Sequence, residues 1–241
     1  MTLYAYCLSD ELAGEMLEGL EGLEGERPRL LEFGGIHVAV SRFEGERVAV
    51  ERENVFAHER VVQAILRHTT PLPFRFGTLV TDDRLKEYLE ANRASLMKSL
   101  AHVRDSIEMS VKIIWDAEAI KGLGLTAENA DSRKQEEGQP SGKGAAYLAA
   151  RRKEMLGDEL LKERAGRIAD WLAESVGDAA LDSNVQVQPS ESLVIRAAHL
   201  VRRERLDDYR QRLEGAKIAR PDLRFLTSGP WPPYSFSNIN P

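Results

Sequence analysis

Two prolines, Pro71 and Pro73, enclose Leu72 directly before Phe74-Arg75-Phe76-Gly77-Thr78, and together they restrict the backbone of this stretch. Each ring fixes φ, moves the preceding residue out of the helical region and removes an N–H that a sheet ladder would use. The segment is therefore extended, and the place open to it in a sheet is the start of an edge strand. Strand alternation then predicts Phe74 and Phe76 on one face with Arg75 on the other. An arginine between aromatics is most often a structural group that stacks or pairs with a carboxylate; contact with a ligand or partner is the alternative role for Arg75.

The segments before it alternate between strand and turn chemistry. Thr2–Leu8 reads as a strand with Leu3, Ala5 and Cys7 set against Tyr4, Tyr6 and Leu8, both faces at least partly covered. Residues 9–29 are acidic and interrupted by Gly14, Gly19, Gly22 and Gly25, which predicts a connection with a helical turn or two. Gly34-Gly35 accepts positive φ at both central positions and so predicts a tight hairpin between Leu30–Phe33 and Ile36–Phe43, with Ile36, Val38 and Val40 in the core. A turn at Glu44–Glu46 leads to Val48-Ala49-Val50. Asn54 is then placed to cap a helix to about Arg67, with Val55, Val62, Ile65 and Leu66 as its buried stripe. After Thr78, Thr81 or Asp82 caps a second helix whose apolar residues recur at Leu85, Tyr88, Leu89, Leu96, Leu100 and Val103.

Ile107–Trp115 alternates cleanly and predicts a long strand facing inward at Ile107, Met109, Val111, Ile113 and Trp115. From Asp116 to Gly144 the chain turns polar, and residues 126–144 hold too few apolar groups to order themselves; a mobile loop near 117–144 is expected. A long helix from about Ala145 follows, apolar at Leu161, Ala165, Ile168, Leu172 and Val176. Then come a strand at Val185–Gln188, a turn at Pro189–Ser192, an apolar strand at Leu193–Val201, a helix at Glu204–Leu213 facing inward at Leu206, Tyr209 and Leu213, and a strand at Asp222–Leu226. The expected fold class is α+β in two domains, 1–105 and 106–241. The second is a modified ferredoxin-like βαββαβ arrangement with a flexible insertion.

Composition enters where chemistry is weighed. Net charge of −6 opposes a nucleic-acid partner, because Arg151-Arg152-Lys153 and Arg202-Arg203 are interleaved with Glu as on solvated helix faces. One cysteine, Cys7, permits no internal disulfide and reads as a buried, inert thiol of a reducing cytoplasm. No run approaches the ~18 apolar residues of a membrane span and no leader is recognised, so an intracellular protein is expected. His37, His58, His68, His102 and His199 lack metal-site spacing; His58 and His68 read as surface or boundary residues and His199 as a hydrogen-bonded sheet residue. No nucleophile elbow, phosphate loop or dinucleotide fingerprint occurs, and Gly142-Lys143-Gly144 lacks the preceding strand that a phosphate cradle needs. No catalytic residue, cofactor or metal is expected.

Near the C-terminus, Gly229-Pro230-Trp231-Pro232-Pro233-Tyr234-Ser235-Phe236 is stiff and aromatic. Its prolines keep it out of a central ladder, and its aromatics are costly to leave in water. It reads as a strap across the protein, in which Trp231, Tyr234 and Phe236 either pack between domains or join Arg75 as partner-binding residues.

The motifs VFAHERVVQAIL at 55–66, TTPLPFRFGTLV at 69–80, GKGAAYLAARRKE at 142–154 and GPWPPYSF at 229–236 occur in order over nearly the whole chain, which resembles the GvpF/GvpL family of gas vesicle proteins. That resemblance implies an accessory or minor structural protein, not an enzyme, that supports assembly of hollow protein-walled flotation organelles. Its implied partners are the small shell protein GvpA and other gas vesicle accessory proteins, in the cytoplasm or at the vesicle. It also implies two α+β domains, the second a modified ferredoxin fold. The alternative is a ferredoxin-like interaction module unrelated to gas vesicles.

Overall fold

The computed structural model of the 241-residue chain describes residues 1–115, 159, 162–187 and 193–241. The loop expected near 117–144, the first part of the helix from Ala145 with its Leu161, and the turn at Pro189–Ser192 lie outside the described residues. The chain divides into two compact units. One comprises Met1–Met109, Leu200–Glu204 and Gly229–Pro241, the other Ser110–His199 and Arg205–Ser228.

The first unit is built on a five-stranded sheet of order β2-β3-β1-β4, with β5 also paired to β1. The strands are β1 (Thr2–Ser9), β2 (Arg29–Phe33), β3 (Ile36–Arg42), β4 (Leu72–Pro73) and β5 (Leu79–Thr81). Gly34 and Gly35 close the β2–β3 hairpin at φ +56° and +84°, the mirror-image turn that the right-handed twist of the flanking strands favours. Helix α1 (Arg52–Leu66) covers one face of this sheet and helix α2 (Asp82–Val103) the other. The α2 face holds Leu3, Ala5, Leu8, Ile36, Val38, Val40, Phe74, Leu85 and Leu89, the α1 face Tyr4, Tyr6, Cys7, Ala39, Val61, Val62 and Ile65. Thr81 caps α2 through its hydroxyl, which accepts from the Arg84 N–H.

Three expectations for this unit are corrected. A register shift between Ala5 and Cys7 breaks the alternation of β1, so Cys7 joins the tyrosine face and Leu8 the face of Leu3 and Ala5. Asn54 does not cap α1: the helix begins at Arg52, and the Asn54 amide donates to the Ala49 carbonyl instead. The edge strand at Pro71–Pro73 ends sooner than alternation requires. The Phe74 N–H still donates to Tyr6 O at 2.9 Å, but the chain then turns through Gly77 at φ +86° and returns to β1 as β5. Phe74 therefore lies under α2 while Phe76 packs on the α1 face, and Arg75 stands exposed at the turn.

The second sheet has the order β7-β8-β6-β9, formed by β6 (Ser106–Trp115), β7 (Asp182–Val187), β8 (Leu193–Arg202) and β9 (Leu223–Trp231). Helix α3 spans 162–176 and buries Ala165, Ile168, Leu172 and Val176, as their helical spacing predicts. Helix α4 (Leu206–Ala219) buries Tyr209, Leu213 and Ala216. His199 on β8 bonds Tyr209 Oη through Nδ1 at 2.7 Å, the hydrogen-bonded sheet histidine expected from the sequence. Strand β9 runs five residues past its expected end and takes Pro230 into the ladder, which its edge position allows.

Candidate partner-binding site

The two stretches that stand out in the sequence meet in the first unit, because the C-terminal tail lies beside β4. After Trp231 the tail makes a 3-10 turn at Tyr234–Phe236. Ser237 Oγ donates to the Pro73 carbonyl at 2.9 Å, and Phe236 packs on the α2-side core. Ile239 enters that core with 6% of its surface exposed. The Asn240 N–H donates to Tyr88 Oη at 3.1 Å. Glu108 on β6 accepts from Ser235 twice, from the N–H at 2.7 Å and from Oγ at 2.8 Å, and so caps the start of the 3-10 turn. Burial raises the Glu108 carboxyl above the ordinary carboxylate range, and those two bonds pull it partly back.

Tyr234 reaches further in. Its hydroxyl donates to Glu59 Oε1 at 2.9 Å and lies 3.1 Å from His58 Nε2. A phenol has one proton, so Tyr234 accepts from His58, and the imidazole carries its hydrogen on Nε2. His58 Nδ1 is then the acceptor for Tyr4 Oη at 2.8 Å, and the Gly77 N–H donates to the same Tyr4 oxygen at 3.3 Å. The result is one directed chain from Gly77 through Tyr4, His58 and Tyr234 to Glu59. His58 is 1% exposed and stacked on Tyr6 at 5.8 Å, and its burial pushes the imidazole down to about 4, so it is neutral at ordinary pH. Burial likewise raises the phenols of Tyr4 and Tyr234. With both ring nitrogens engaged, His58 has no free site for proton transfer to a substrate; it ties tail, α1 and β1 together.

The residues singled out as partner-binding thus divide. Tyr234 and Phe236 are engaged by their own chain. Arg75 is exposed, and among the described residues no carboxylate or ring takes its guanidinium, so the stacked or paired structural role is not realised. Trp231 is 40% exposed on the edge strand β9. His58 is corrected from a surface or boundary residue to the centre of the buried chain. Its signal was its spacing, since it precedes Val62 by one turn and Ile65 by two on the buried stripe of α1. Glu59, Glu108 and Ser235 gave no sequence signal, because their pairing depends on contacts between segments far apart in the chain.

Among the described residues no helix is long and apolar enough to cross a membrane. The family model described as gas vesicle synthesis protein GvpL/GvpF matches residues 2–238. The chain belongs to the GvpL/GvpF family. Among its relatives in that family, gas vesicle protein L of Streptomyces sp. (strain CB03234) is 27% identical over 269 residues, covering 98% of this chain and 92% of the relative. Gas vesicle protein F of the same strain is also 27% identical, over 244 residues, covering 98% of this chain and 99% of the relative. The crystal structure of the gas vesicle protein GvpF from Anabaena sp. PCC7120 has the same fold, with a TM-score of 0.80 at 23% identity over 99% of each chain. GvpF from Microcystis aeruginosa gives a TM-score of 0.78 at 19% identity, again over 99% of each chain. This GvpL/GvpF family member is therefore an α+β protein, as expected from its sequence.

Proposed function

We propose that this GvpL/GvpF family member works in gas vesicle formation as an accessory or minor structural protein that binds the shell protein GvpA and other gas vesicle accessory proteins. The observation that carries this reading is the family match over residues 2–238, with F and L relatives aligned along almost the full chain. The reading places the protein in the cytoplasm and at the vesicle, acting by binding rather than by catalysis. Consistent with that, the most perturbed imidazole of the candidate site, His58, is held by two phenols inside the protein.

Arg75 and Trp231 are the proposed contact groups, with Tyr234 and Phe236 positioning the tail that carries Trp231. An exposed arginine and a partly exposed tryptophan are the side-chain types that most often anchor protein interfaces. We also read residues 106–241, apart from the tail, as a modified ferredoxin-like domain. Support comes from the order of elements, β6, α3, β7, β8, α4, β9, together with the sheet order β7-β8-β6-β9. The test is a pull-down of purified GvpA on the immobilised full chain beside another assembly factor as control. Retention of GvpA is expected, reduced by Trp231→Ala and Arg75→Ala. No retention, while the control binds, overturns the reading.

A further inference from the structure

Among the described residues, strand β9 is the last strand of the second sheet, and one side of it has no neighbour in the ladder. Its residues Arg224, Leu226 and Thr227 are exposed, Leu226 by 46%. A bare edge of this kind presents N–H and C=O groups ready to pair with another chain. Alongside it runs an open groove of about 380 Å³ lined by Lys217, Pro221, Leu223, Arg224 and Phe225.

The charges in the groove and next to it differ in availability. Lys217 Nζ bonds Glu214 Oε1 at 2.6 Å, and Arg220 is bidentate to Asp222 with both distances 2.7 Å. Arg224 has no such partner among the described residues. The strip therefore offers one uncommitted guanidinium between apolar side chains, on a protein whose net charge is −6. At the far end, Pro230 has no N–H and Gly229 takes φ +126°, so an added strand ends by about Ser228.

We propose that the β9 edge between Arg224 and Ser228 accepts, by strand addition, an extended peptide segment of a partner protein that alternates apolar and acidic residues. The backbone of the segment continues the sheet, its apolar side chains extend the face of Phe225, and on the opposite face a carboxylate meets Arg224. This rests on the reading that the chain acts in vesicle formation by binding other proteins, and names the chemistry of one such partner.

The test uses the full chain and fluorescein-labelled peptides of sequence Val-Glu-Val-Thr-Val-Glu-Val and its Lys-for-Glu counterpart, with anisotropy as the readout. The acidic peptide is expected to bind more tightly, and Arg224→Glu to weaken it by about 10-fold and reverse the preference, as charge complementarity requires. Leu226→Glu, a negative charge on the same face as Arg224, is expected to weaken the acidic peptide further. Amide exchange at 224–228 is expected to slow in the complex, whereas a purely electrostatic association gives no such protection. Equal binding of the two peptides, an unchanged preference in Arg224→Glu, unaltered exchange, or no binding at about 1 mM peptide overturns the proposal. These variants are on the surface, and an unchanged melt verifies their folding. A deletion strain that still forms vesicles would instead overturn the vesicle role and leave the peptide result standing.

Discussion

His58→Phe tests the buried hydrogen-bond chain most sharply, because it keeps a flat aromatic side chain, slightly larger than imidazole, and removes both ring nitrogens. In the wild type, Nδ1 accepts from Tyr4 and Nε2 donates to Tyr234. After the substitution Tyr234 still donates to Glu59, but the Tyr4 hydroxyl proton, on a side chain with no exposed surface, has no acceptor. Two lost bonds at about 1 kcal/mol each, one leaving an orphaned buried donor, suggest a loss of roughly 2–3 kcal/mol in urea denaturation. Adding Tyr4→Phe removes the orphan, so the double variant is expected to recover about 1 kcal/mol relative to the sum of the single losses.

The same substitution has a pH signature. Burial lowers His58 from 6.5 to about 4, so between these values the unfolded chain takes up a proton that the folded chain refuses. The stabilisation is full above pH 6.5 and is lost as pH falls through about 4. A shift of this size corresponds to about 3 kcal/mol for a fully buried group. His199, lowered to about 4 by burial as well, contributes a parallel loss, so His58→Phe and His199→Phe are each expected to flatten the slope between pH 6.5 and about 4 by a similar amount. An His58→Phe variant as stable as the wild type, or one with the full acid-side slope, refutes the reasoning.

Gly22→Ala is expected to destabilise by about 2 kcal/mol in the same assay, since a Cβ there would collide with Tyr6 Oη and displace it from Ser41 Oγ and the Leu23 N–H. Ile239→Ala, which empties a buried site in the α2-side core, is expected to cost ~2–4 kcal/mol. Trp231→Ala is expected to leave the melting temperature within about 2 °C, as a largely surface change does, while weakening retention of GvpA. Truncation before Trp231 separates strap from anchor: a lower melting temperature is expected, and an unchanged melt shows that the tail bonds contribute nothing.

Much of the fold was legible because it rests on local chemistry. The Gly34-Gly35 turn, the Thr81 cap, the alternation of Ile107–Ile113 and the helical spacing of α2 and α3 each state their conformation within a few residues. The misreadings arose where an interaction is non-local. A register shift in β1 depends on its pairing with β3, and it reversed the faces of Cys7 and Leu8. The Phe74–Phe76 alternation failed because Gly77 allows the edge strand to break in two around β1. Of the candidate site, the tail aromatics and the proline segment were visible, but the Glu108 cap and the His58 chain join residues from β1, α1, β6 and the C-terminus, and no spacing in the sequence encodes that meeting.

The central claim is that this family member takes part in making gas vesicles, and removal of the chain from a vesicle-forming host tests it most directly. Vesicle yield, read by electron microscopy and cell buoyancy, is expected to fall sharply in the deletion strain, to return with the wild-type chain, and to return only in part with Arg75→Ala/Trp231→Ala. Vesicles of normal number and form in the deletion strain would contradict the account.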